Sequence, residues 1–66
     1  MTINNPDVDG ALVRDLRLPN DVLLLEVARN GQAMVPSGYT PLQLMDEVTL
    51  LGQPQSLSDV TLKLGY

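Results

Sequence analysis

The stretch that decides the fold runs Val22-Leu23-Leu24-Leu25-Glu26-Val27-Ala28-Arg29, then Asn30-Gly31, then Gln32-Ala33-Met34-Val35-Pro36-Ser37-Gly38. Two apolar runs of strand length flank Asn-Gly, the strongest short-range hairpin signal a sequence carries. Asn and Gly accept the positive φ angles of a type I′ turn, whose twist matches that of the strands on either side. A hairpin over residues 22–36 is therefore expected. Its register sets Arg29 opposite Gln32, Ala28 opposite Ala33, Val27 opposite Met34, Glu26 opposite Val35 and Leu25 opposite Pro36. Alternation places Leu23, Leu25, Val27 and Met34 on one face, with Arg29 at its end, and this is the expected core face. The other face carries Val22, Leu24, Ala28, Ala33 and Val35 around a single Glu26, which is more apolar than a solvated face of an antiparallel sheet. Another part of the chain or a second copy is expected to cover it.

Sixty-six residues make one domain, and a chain of that size buries only roughly 60% of its unfolded surface. Small domains of this kind need a staple. Cysteine and histidine are both absent, which removes disulfides and thiolate metal sites and all but excludes zinc. Self-association is the remaining remedy. The net charge is −4, with Arg14, Arg17, Arg29 and Lys63 the only cations. No basic footprint for nucleic acid exists. The longest purely apolar run, Val22 to Leu25, is far shorter than the roughly 20 residues of a membrane span, and no signal-peptide segment opens the chain. A soluble chain without direct membrane insertion is expected. With no Phe or Trp, Leu, Val and Met must fill its core.

Outward from the hairpin, Thr2 and Ile3 offer a short edge strand ended by Asn5-Pro6. Asp7 or Asp9 can cap a short helix reaching Leu16, with Val8, Leu12, Val13 and Leu16 as its apolar stripe. Asp7, Asp9 and Asp15 read as capping and solvated acids, because no oxygen-rich loop follows them. Leu18-Pro19-Asn20-Asp21 is turn chemistry. After the hairpin, Thr40, Leu42 and Leu44 alternate over an extended segment, Met45-Asp46 turns the chain, and Glu47 to Gly52 reads as a last strand with Val48 and Leu50 on one face. In the tail, Leu57, Val60 and Leu64 fit one face of a helix started by Pro54, and Val60, Leu62 and Leu64 also alternate as a strand would. The helix is the reading adopted. The fold class is thus α+β: a small, mainly antiparallel sheet around a central hairpin, with a short N-terminal and a C-terminal helix. The abrupt start reads as residues 1–66 excised from a longer protein.

Several landmarks fall in a familiar order: Gly10, Leu16-Arg17-Leu18-Pro19, Val27-Ala28-Arg29-Asn30-Gly31, Val35-Pro36, Gly38, Thr40, Leu42, Asp46 and Gly52. This order resembles the C-terminal subdomain of the regulator-of-potassium-conductance (RCK) family, the TrkA-C domain, over nearly the whole chain. One position departs, since the family's Gly before the aspartate is Met45 here. The resemblance implies a small α+β domain that pairs as a homodimer. It implies a cytoplasmic regulatory region of a prokaryotic potassium channel, potassium transporter or cation antiporter. It also implies a small anionic, nucleotide-like ligand, such as cyclic di-AMP, in the cleft between two copies. The rival reading is a purely structural dimerisation module with no ligand.

Candidate residues follow from both lines. Arg29 ends the expected core-face strand, where its guanidinium can meet a ligand phosphate bidentately or pair with an acid across the strands. Asn30 lies beside it. Pro36, Ser37, Gly38 and Tyr39 can line a cleft, either because backbone N–H groups near a glycine receive anions or as an ordinary turn in which Gly38 supplies a positive φ. Across a two-fold axis Arg29, Asn30, Val35, Pro36, Gly38 and Tyr39 would surround one shallow pocket, walled by Leu24, Val27 and Val35. In that picture Arg29→Ala weakens anion binding and spares the dimer. Asn30, Gly31 and Asp46 are read as structural turn residues, Asp46 through bonds from local backbone N–H groups. With no His or Cys, no serine has a base to activate it, and no enzyme, cofactor or metal site is expected.

Overall fold

Asn30 and Gly31 take φ angles of 53° and 79° and close a hairpin between β1, Leu23–Arg29, and β2, Gln32–Met34. In this computed structural model, which describes residues 1–65, the register is Val27 with Met34, Ala28 with Ala33 and Arg29 with Gln32. Pairing stops at Met34. The expected pairs of Glu26 with Val35 and Leu25 with Pro36 do not form, since Pro36 has no N–H to donate and Val35 stands almost free in solvent. The third strand, β3, Glu47–Leu51, lies antiparallel along the other edge of β1, giving the order β2-β1-β3.

That second pairing corrects the expected faces. Leu24 sits opposite Leu50 and Glu26 opposite Thr49, so Leu25 is an extra residue with no partner. A bulge of this kind moves every residue beyond it to the opposite face. Val27 is fully buried as expected, but Val22 is buried and Leu24 packs on the core, while Leu23 is 59% exposed and Leu25 and Met34 are also exposed. The core face is therefore Val22 just before β1, Leu24 and Val27 on β1, and Val48 and Leu50 on β3.

The N-terminal segment pairs briefly with β3: Thr2 bridges Glu47, and the Ile3 N–H donates to the Asp46 carbonyl at 2.8 Å. This seats Ile3 in the core. Next comes a pair of short 3₁₀ turns, Pro6–Val8 and Val13–Leu16, instead of one continuous helix. Gly10, at φ 84°, breaks it, and Leu12 bridges Pro41. Asn5, not Asp7 or Asp9, caps the first turn, through its side chain to the Asp7 N–H at 3.0 Å. Asp9 instead accepts from the Leu44 N–H at 3.1 Å. Residues 40–44 form no strand, though Leu42 is fully buried.

The tail is the helix α1, Pro54–Leu64, with Pro in its first turn, where a missing N–H costs nothing. Val60 and Leu64 are buried and Leu57 packs beside them, which is the helical stripe read from the sequence. Between β3 and α1, a Cβ at Gly52 would stand 2.9 Å from the Asp21 carbonyl oxygen and 3.0 Å from Val22 Cγ2. Only glycine fits that approach without a shift. No helix of the described residues is long and apolar enough to cross a membrane.

Candidate functional site

The hairpin delivers Arg29 to a specific partner. Arg29 ends β1 two residues beyond Val27, on the same side of the sheet, and its side chain reaches the turn that precedes β3. Its Nε donates to Asp46 Oδ1 at 2.9 Å and its Nη2 to Asp46 Oδ2 at 2.7 Å, a bidentate fork on a carboxylate that is only 2% exposed. Nη2 also donates to the Pro41 carbonyl at 3.0 Å. From the other side, the Gln43 N–H donates to Asp46 Oδ2 at 2.9 Å. Asp46 is thus held below the usual carboxylate range, first by the Arg29 hydrogen bonds, against the opposing effect of burial, and then by the Gln43 N–H. The same bonds raise the pKa of Arg29, which stays charged.

A guanidinium carries five N–H groups. Three are engaged by Asp46 and Pro41, and the two on Nη1 meet no acceptor among the described residues. A shallow depression of about 280 Å³ is lined by Arg29 together with Asn30, Gln32, Ala33 and Met34. It offers the amides of Asn30 and Gln32 next to a fixed cation, on a floor of small and flexible apolar groups. Such a surface can receive an anionic or strongly polar group through charge-assisted hydrogen bonds.

The remaining candidates stand apart from that depression. Val35 and Tyr39 are strongly exposed, and the Arg14 guanidinium lies over the Tyr39 ring, 4.8 Å from its centre. The Arg14 N–H donates to the Gly38 carbonyl at 2.9 Å. Within the 37–40 turn, the Ser37 N–H donates to Thr40 Oγ1 at 2.9 Å and the Tyr39 N–H to Ser37 Oγ at 3.2 Å. Those two donors are not turned outward to an anion, and Gly38 does not use a positive φ. Within one copy, therefore, Arg29 and Asn30 share a surface with Gln32, while Gly38 and Tyr39 belong with Arg14 and Pro36 lies beyond the end of β2. Of the expected walls, Val27 is fully buried and Leu24 faces the core, leaving Val35 as the exposed one. Sequence reasoning missed Gln32, whose position opposite Arg29 in the hairpin was the available signal, and Arg14, for which there was none.

Among the described residues no group of three or more His, Cys, Asp or Glu converges as a metal site would require. Residues 1–65 match the family model of the TrkA-C domain. The chain belongs to the TrkA-C domain family. A curated relative, the Trk system potassium uptake protein TrkA homolog of Archaeoglobus fulgidus, is 33% identical over 49 residues, which cover 74% of this chain and 11% of the relative. The chain thus spans about a tenth of that relative's length. A solved RCK domain with cda superposes with a TM-score of 0.90 at 20% identity, covering 97% of this chain and 91% of that one. At that identity the likeness is one of fold. A TrkA-C domain is a regulatory, non-catalytic unit, in keeping with a site that offers a cation and amides but no nucleophile.

Met45, read from the sequence as standing in place of a glycine, adopts φ 73°. That left-handed conformation is one a side chain disfavours and glycine does not. The turn keeps the geometry that glycine would give it, held by the bonds to Asp46.

Proposed function

We propose that this TrkA-C domain is the dimeric regulatory module of a prokaryotic potassium or cation transport system, acting in the cytoplasm on a parent channel, transporter or antiporter. In this reading it binds a small anionic, nucleotide-like ligand between two copies. The observation that carries the ligand is a fixed Arg29, with both Nη1 donors unengaged among the described residues, lining one depression with Asn30 and Gln32. A related fold solved with cda supports the same reading. Dimerisation is supported by the outer face of the sheet, where Leu23 and Leu51 stand opposite each other, 59% and 60% exposed, next to an exposed Leu25. A two-fold interface repeats each patch and can bring the Arg14–Tyr39 cluster of one copy near the hairpin tip of the other. Ligand binding regulates a parent protein only by favouring one arrangement of the two copies over another.

The test is calorimetric titration with cyclic di-AMP, with the dimer followed by sedimentation. Arg29→Ala is not the variant to use, because it leaves Asp46 buried without its counter-charge, a loss of roughly 3–5 kcal/mol in comparable pairs. Asn30→Gly keeps the turn, since glycine accepts the same positive φ, and removes only the amide. Together with Gln32→Ala it is expected to weaken binding about tenfold or more, on the scale of roughly 1.5 kcal/mol for a hydrogen bond to a charged group. No binding by the unaltered chain would favour a structural dimerisation module instead.

A further inference from the structure

Asp46 is attached to two different parts of the molecule at once. Its carboxylate holds the hairpin tip through Arg29, and its main-chain carbonyl accepts from the Ile3 N–H at 2.8 Å. Ile3 returns the contact, accepting from the Met45 N–H at 2.8 Å, and the Val48 N–H donates to the Met1 carbonyl at 2.8 Å just beyond. The N-terminal segment is therefore fastened at the same turn that clasps Arg29. Within that turn the Asp46 N–H donates to the Gln43 carbonyl at 3.1 Å and the Gln43 N–H to the Asp46 carboxylate at 2.9 Å. Met45 nevertheless sits at φ 73°, a conformation unfavourable for a residue with a side chain, and Arg29 and Asp9 are the side chains from elsewhere in the chain that brace it.

We propose that the Arg29–Asp46 pair is a coupling latch between the anion-receiving hairpin tip and the N-terminal segment. An anion engaging Arg29 Nη1 restrains the guanidinium, the guanidinium restrains the 43–46 turn, and the turn tightens its two main-chain bonds with Ile3. For its ligand this rests on the anion-binding function proposed above, while the latch itself rests only on the geometry. Asp46 is then a positioning residue: it touches no ligand and holds the guanidinium that lines the depression. Coupling of this kind is reciprocal, so whatever pulls on the N-terminal segment alters affinity at the tip by the same factor.

Amide hydrogen exchange on the 66-residue chain tests it in two arms. In the first, Asp46→Asn and Arg29→Lys, which keep size or charge but lose the two-bond fork, are each expected to speed exchange at Ile3, Met45 and Val48. The expected rise is at least tenfold beyond any change at Val22 and Leu57, whose N–H groups bond Pro19 and Gln53 away from the latch. An equal rise at all five amides would mean general destabilisation and overturn the latch, as would no change at Ile3. In the second arm, saturating cyclic di-AMP, with binding checked by calorimetry, is expected to slow Ile3 and Met45 severalfold more than Leu57, and Arg29→Lys to remove that difference. Binding without selective slowing overturns the coupling. Absence of binding overturns the anion reading and leaves the first arm to decide the latch.

Discussion

Met45 and Asp46 are neighbours with opposite energetic roles. Met45 occupies a left-handed conformation while 72% exposed, so its side chain gives little burial in return for a backbone cost of roughly 1–2 kcal/mol. Glycine removes that cost and adds about 0.5–1 kcal/mol of unfolded-state entropy. Met45→Gly is accordingly expected to raise stability by about 0.5–1 kcal/mol, read as a higher urea midpoint at unchanged slope. Asp46 acts the other way. Its pKa is lowered in the folded state by Arg29, so its contribution is complete above the unfolded value of about 3.9 and is lost as pH falls through the lower folded value. The expected outcome is that the unaltered chain loses stability below about pH 4 while Asp46→Asn, weaker at pH 7, shows a flatter profile there. Equal slopes for the two proteins in urea unfolding from pH 7 to pH 2 would remove Asp46 from the account. The partnership itself was not legible in the sequence. An arginine and an aspartate 17 positions apart carry no mark of each other, and only a turn placing residues 41–46 over the hairpin tip makes them meet.

At the level of elements, the hairpin could be read because Asn30-Gly31 fixes the register chemically, whatever the strands contain. The sheet faces could not. Leu23, Leu24 and Leu25 are identical, so alternation has no phase across them, and the bulge at Leu25 that inverts the faces leaves no trace in composition. A similar degeneracy hid the 3₁₀ turns: Val8, Leu12, Val13 and Leu16 fit a helical stripe, but Gly10 at φ 84° interrupts the backbone that would carry it. The C-terminal helix was legible because Pro54 marks its start and Leu57, Val60 and Leu64 share a face. Where β3 meets α1, close packing sets a sharper condition. Gly52→Ala would put a Cβ 2.9 Å from the Asp21 carbonyl oxygen, a backbone atom that cannot rotate away. A loss of about 1–3 kcal/mol, the usual cost of overpacking, is expected in denaturant unfolding, whereas an unchanged midpoint would mean the β3–α1 junction yields freely.

For the whole molecule the question is what covers the outer face of the sheet. A chain of 66 residues has a small core, and without a disulfide to compensate its stability is modest. Yet Leu23, Leu25 and Leu51 stand exposed on or beside that face, where each would contribute roughly 1.5–3 kcal/mol if fully buried. Two copies related by a two-fold axis bury all six together, and the gain falls on the folded state alone, so apparent stability rises with concentration. Leu51→Glu tests this with little risk to the fold. Its side chain points away from the core, opposite Leu23, and the acid joins Glu26 and Glu47, which are already exposed on that sheet. Across a two-fold interface the added charges face their own copies, and like charges so placed cost several kcal/mol, as they do in wrongly paired complexes. The expected result is a folded monomer of 7.2 kDa with its helical circular dichroism intact and an unfolding midpoint that no longer depends on concentration. A Leu51→Glu chain that still sediments as a dimer would place the interface elsewhere, with the uncovered edge of β2, whose three residues are all exposed, the next surface to alter.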